Sequence, residues 1–91
     1  MSVKYYYSSV TGNIEMKKKQ QHIEMILDSK KVQYEKIDVA AEEEQKKKMR
    51  DLIGDQAALP PQLFNGDTYL GDFAAFDVAV EEGSLEKFLK L

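Results

Sequence analysis

The chain contains no cysteine and no tryptophan, one histidine and two prolines in 91 residues. Without cysteine there can be no disulfide, no thiolate metal site and no thiol nucleophile. The single histidine, His22, cannot by itself build a typical zinc site or a catalytic triad. No excess of positive charge is present either. Thirteen basic and sixteen acidic side chains leave a net charge of −3, so the general basic field expected of a nucleic-acid or anionic-membrane binder is missing. Apolar runs such as Val78-Ala79-Val80 are far too short to cross a bilayer, and no apolar leader opens the sequence. A thiol-free chain without a leader is expected in the cytoplasm and, being small, also in the nucleus.

What is present is a globular composition, 43% hydrophobic and 32% charged, in a length that suits one domain over residues 1–91. Val3-Lys4-Tyr5-Tyr6-Tyr7 is aromatic and β-branched and reads as a strand. Ser8 to Asn13 is a loop rich in helix-capping residues. A helix is expected from about Glu15 to Lys30, with Met16, Ile23 and Leu27 on one stripe and Ile26 beside it. A second strand over Val32–Val39 precedes a helix over about Ala41–Ile53. In that helix Glu42, Glu43 and Glu44 stand four residues before Lys46, Lys47 and Lys48, and Gly54 is its stop. Gln62–Phe64 and Asp67–Leu70 are short strands with Asn65-Gly66 as a two-residue turn between them. Phe73, Phe76 and Val80 mark a third helix, and Leu85, Phe88 and Leu89 a short last one.

The expected fold class is therefore α/β, in the order βαβαββα with a final helical turn. Two strand–helix–strand crossovers predict parallel strands and the hairpin adds an antiparallel one, giving a four-stranded mixed sheet with helices on both faces. Pro60 and Pro61 stand just before the third strand, where proline is tolerated.

The order and spacing of several pieces carry a resemblance. They are Ser9-Val10-Thr11-Gly12, Gln33-Tyr34, Met49-Arg50, Pro60-Pro61-Gln62, Asn65-Gly66-Asp67, Gly71-Asp72 and Phe88-Leu89-Lys90-Leu91. Together they resemble the glutaredoxins and, more closely, the short members of the SH3-domain-binding glutamic-acid-rich-like family. The resemblance implies a thioredoxin-like fold without oxidoreductase activity. It also implies a small cytosolic modulator or adaptor, acting on glutaredoxins or on cytoskeletal partners.

It further implies which positions to inspect. The glutaredoxin thiol lies where the first strand feeds the first helix, here Ser9, Val10, Thr11, Gly12 and Asn13. Ser9 and Thr11 offer hydroxyls with no base in sight, and Ser9, Thr11 or Asn13 is a natural helix cap. Pro61 is implied to be the cis-proline. Pro60 would replace the residue that pairs its backbone with glutathione, yet proline has no N–H to give. Gly71 and Asp72 match the turn that holds the γ-glutamyl end of glutathione, although Asp72 is equally a helix cap. No cofactor is expected beyond weak residual glutathione binding. Finally, Pro60-Pro61-Gln62-Leu63-Phe64 fits the Pro-Pro-x-x-Phe pattern of EVH1 ligands, and the family's label points to SH3 domains. Both would require that segment to be exposed and extended.

Overall fold

The computed structural model describes residues 2–91. Eight elements follow one another: β1 (Val3–Tyr7), α1 (Ile14–Ser29), β2 (Tyr34–Asp38), α2 (Glu43–Ile53), β3 (Gln62–Asn65), β4 (Thr68–Asp72), α3 (Phe73–Glu81) and α4 (Leu85–Phe88). The four strands form one mixed sheet in the order β2-β1-β3-β4.

β1 is a central strand with both faces covered, and its residues alternate accordingly. Val3 and Tyr5 face the side packed by α1, α3 and α4, in a core with Ile23, Leu27, Leu63, Phe76, Leu85 and Leu89. Tyr6 faces the other side and packs with Ile37, Val39, Met49 and Phe64 beneath α2. That alternation is the period-two rule applied to a strand that is buried twice. It explains why consecutive tyrosines can both be fully buried.

The second crossover departs from the parallel expectation. β1 and β2 are parallel, with Tyr7 opposite Asp38. β3 is antiparallel to β1, with Gln62 opposite Tyr6. Hence β2 ends, and β3 begins, at the same end of the sheet. After α2 the chain returns through Gly54–Pro61 to the level from which it left, so the strand–helix–strand pattern does not produce a parallel pair here. The hairpin is also displaced by one residue. Asn65 pairs with Thr68, and the loop is Gly66-Asp67. Gly66 has a φ of 60°, the positive value needed at the first loop position of such a turn. Asn65 is buried in the strand, and its amide donates to the carbonyl of Leu89 at 2.9 Å. It ties the last helical turn to the sheet.

The acid-first pairs of α2 do not close as ion pairs among the described residues. Lys48 lies 3.7 Å from Asp67 of the hairpin instead, itself an exposed pair that contributes little.

Candidate functional site

Three chain segments converge at the end of the sheet where β1 stops and β3 starts: the Ser8–Asn13 loop, the Leu59-Pro60-Pro61 corner and the start of α3. The loop is held by a residue that its own composition does not reveal. Gln20, buried on α1, accepts from the Ser8 amide at 2.8 Å and donates to the Ser8 carbonyl at 3.1 Å. One glutamine thereby closes both backbone groups of Ser8. Tyr5 fastens the same stretch of α1, its hydroxyl lying 3.2 Å from the Gln20 carbonyl and 2.9 Å from Glu24. Burial, followed by the Glu24 contact, pushes the Tyr5 phenol far above its usual range, so it is neutral.

The hydroxyls in the loop are engaged locally. Ser8 donates to the Val10 carbonyl at 2.7 Å, and Thr11 to the Asn13 carbonyl at 3.1 Å. Asn13 is the cap of α1. Its side-chain oxygen accepts from the amides of Glu15 and Met16 at 2.8 and 3.3 Å. Ser9 turns toward β2, where its amide and that of Ala40 donate to one Asp38 oxygen at 3.1 and 3.0 Å. The Ser9 hydroxyl and these amides hold the Asp38 carboxyl below its ordinary value. His22 is on the outer part of α1, 3.9 Å from Asp77. Among the described residues no base meets Thr11, and the carboxylate that meets Ser9, Asp38, is a weak base because its value is depressed. Gly12 faces open space.

At the corner, the Pro60–Pro61 peptide is cis. Gln62 fixes the approach to it: its amide donates to the Leu59 carbonyl at 2.8 Å and its oxygen accepts from Tyr69 at 2.8 Å. Pro60, Pro61, Gln62, Leu63 and Phe64 are all buried, with Leu63 and Phe64 fully so. This corrects the reading of that segment as an EVH1 or SH3 ligand. A β3 strand paired on both edges, its phenylalanine under α2, cannot be presented as an extended exposed peptide.

Asp72 begins α3 and accepts from the Ala75 amide at 3.1 Å. Gly71 lies behind it, buried. A Cβ there would fall 2.7 Å from the Ala75 Cβ and 3.4 Å from the Phe88 ring, on a φ of 151°. Gly71 therefore lets α3 and α4 approach β4. It is absent from the groove wall, while Asp72 is part of it.

A concavity of about 310 Å³ runs between these pieces, lined by Asn13, Met16, Lys19, Leu59, Pro60 and Asp72 among others. A second, of about 480 Å³, lies on the far side of the Leu59-Pro60 ridge, against Val10, Thr11, Val39 and Lys46. Around them Val10, Ile14 and Leu59 are exposed to 78, 71 and 57%. The residues do not fit a glutathione site of the thiol-exchanging kind. No thiol faces the groove, Pro60 brings an acceptor without a donor, and one Asp72 oxygen is already bound by the helix. Among the described residues no group of three or more metal-ligating side chains exists, and no helix is long and apolar enough to cross a membrane.

Comparison with known proteins agrees with this geometry. The actin-interacting protein Aip5 of C. albicans superposes with a TM-score of 0.78 at 24% identity, over 97% of this chain and 87% of that one. A buckwheat glutaredoxin–glutathione complex gives 0.72 at 14% identity, over 97 and 76%. E. coli glutaredoxin gives 0.60 at 20%, over 91 and 96%. These likenesses establish a thioredoxin-like, glutaredoxin-like fold. A curated Drosophila melanogaster protein, "SH3 domain-binding glutamic acid-rich protein homolog", is 44% identical. The match takes in all of this chain, which spans 65% of that relative's length. The family model described as "SH3-binding, glutamic acid-rich protein" matches residues 1–91, and the chain belongs to that family.

Proposed function

We propose that the protein is a non-catalytic interaction module that binds a protein partner at the Pro60 end of its sheet. One observation carries this reading. Where a glutaredoxin keeps its thiol, this chain has hydroxyls turned inward to its own backbone, ringed by exposed Val10, Ile14 and Leu59. Side chains of this kind remain in contact with water only at a cost, and grouping them around a groove marks a surface that a partner covers. An activated nucleophile would need an effective base within hydrogen-bonding reach. Among the described residues Thr11 has none, and Ser9 has only Asp38, whose depressed value makes it a weak one.

Two partner classes draw support from the fold relatives. Aip5 is an actin-interacting protein, which supports a cytoskeletal partner for this chain. The glutaredoxin likeness supports the alternative that it modulates a true glutaredoxin by occupying the same protein surfaces. Either partner supports a cytoplasmic location, which we extend to the nucleus. Localisation of a fluorescent fusion checks that placement.

Isotope-labelled protein is titrated with monomeric actin and, separately, with a glutaredoxin. The amides of Val10, Ile14 and Leu59 are expected to shift with one of them. The double substitution Val10→Asp and Leu59→Asp should abolish the shift while leaving thermal stability within a few degrees, since both side chains are exposed. Shifts that map elsewhere, or survive the double substitution, would overturn the assignment.

A further inference from the structure

The opposite end of α1 carries a second feature. A concavity of about 1130 Å³ lies between the end of α1 and α4. Val32, Val80, Leu85 and Leu91 give it apolar walls, and Lys30, Lys31 and Lys87 stand at its edge with Glu86 as the one acid. None of the three lysines has a carboxylate within 4 Å among the described residues. In a chain of net charge −3, this is a local excess of positive charge around apolar surface.

The backbone singles out one of these lysines. α1, α3 and α4 end in the same way. The amide of Val32 donates to the Leu27 carbonyl, that of Ser84 to Ala79, and that of Leu91 to Glu86. Each closure requires a left-handed residue just before the donor, a position usually given to glycine. α3 uses Gly83, with φ 68°. α1 uses Lys31 at 57° and α4 uses Lys90 at 58°. A side chain at positive φ is disfavoured, and the attraction of a lysine to the helix C-terminus offsets this only in part. The two helix ends that carry lysine instead of glycine flank this concavity. Lys31 lines it directly, and Lys90 precedes Leu91, which also lines it.

We propose that this concavity is a docking site for an acidic protein segment bearing apolar side chains. The lysines would meet its carboxylates, and Val32, Val80 and Leu85 its apolar groups. The site lies apart from the Pro60 groove, shares no lining residue with it, and stands whether or not that groove binds a partner.

The test uses the whole chain and a fluorescent peptide of glutamates interspersed with leucines. Its counterpart with lysine in place of glutamate serves as the control. Saturable binding of the acidic peptide alone is expected, with amide shifts at Lys31, Val32, Gly83 and Ser84. Binding should weaken sharply in about 1 M salt, where the screening length is roughly 3 Å. Lys31→Gly is the diagnostic variant. It should raise the melting temperature, because glycine suits the backbone there, and lower peptide affinity about threefold, the range of one exposed charge pair. Lys30→Gln with Lys87→Gln should lower affinity further, whereas Lys17→Gln with Lys18→Gln, the same charge change elsewhere, should not. The proposal is overturned by equal binding of both peptides, by shifts at Pro60 instead, or by a Lys31→Gly protein that keeps full affinity. Preference for anionic vesicles over the peptide would overturn it as well.

Discussion

The two ends of α1 treat polar groups in opposite ways. At its start, nearly every donor and acceptor finds a partner inside the chain: Asn13 caps, Thr11 and Ser8 close turns, and Gln20 binds both backbone groups of Ser8. At its end, Lys30 and Lys31 face solvent with no carboxylate within 4 Å among the described residues, and Lys31 holds a backbone conformation that glycine would adopt more readily. The first end, where the resemblance to glutaredoxins implies an active site, has the chemistry of a structural turn. The second is where Lys30, Lys31 and Lys87 gather around apolar surface. Position within a fold is therefore a poor guide to activity unless the groups standing there are free to act.

Substitutions can break or sharpen that contrast. The largest effect is expected from Gly71→Ala. If Gly71 serves packing and not ligand access, the added methyl meets Ala75 at 2.7 Å. Together with the positive φ this should cost about 3 kcal/mol, read from urea unfolding. A near-neutral result would return Gly71 to the groove.

Gln20→Ala comes next. It leaves the Ser8 amide and carbonyl half-buried and unpaired, a loss of about 2 kcal/mol. Faster hydrogen exchange at Ser8 and Ser9 should accompany it. Asn13→Ala removes the cap alone and should cost about 1 kcal/mol. Its fraying should stay within the first turn of α1, as amide exchange would report.

The smallest effect concerns Asp38. Its carboxyl sits below the ordinary value because the Ser9 hydroxyl, with the Ser9 and Ala40 amides, favours the charged form. A group with a depressed folded value contributes stability above its unfolded pKa of about 3.9, and loses it as pH falls through the folded value. Asp38→Asn should make acid unfolding slightly shallower below about pH 4. An unchanged acid limb would show that the contacts with Ser9 contribute nothing.

Much of this contrast could be read in the residues themselves. Strand and helix order followed from periodicity, Gly54 was legible as the stop of α2, and Asn13 and Asp72 stood among the obvious caps. Other features depended on contacts between distant parts of the chain. Gln20 looks like any polar residue on a lysine-rich helix, because its partner is the backbone of a loop and carries no side-chain signature. Asn65-Gly66 has the form of a turn, but Asn65 is drawn into β3 by the carbonyl of Leu89, 24 residues away. The direction of β3 was hidden for a similar reason, since it depends on how far Gly54–Pro61 carries the chain back. Lys31 gave no sign of its positive φ, which belongs to the helix ending and not to the residue type.

The central proposal is that the start of α1, where the resemblance to glutaredoxins implies a redox site, carries out no redox chemistry. A glutathione-dependent disulfide-reduction assay tests it most directly. The account predicts turnover no faster than the reaction without protein, for the wild type and for Ser9→Ala and Thr11→Ala alike. Turnover above that rate which survives repurification, and which falls in either variant, would contradict it.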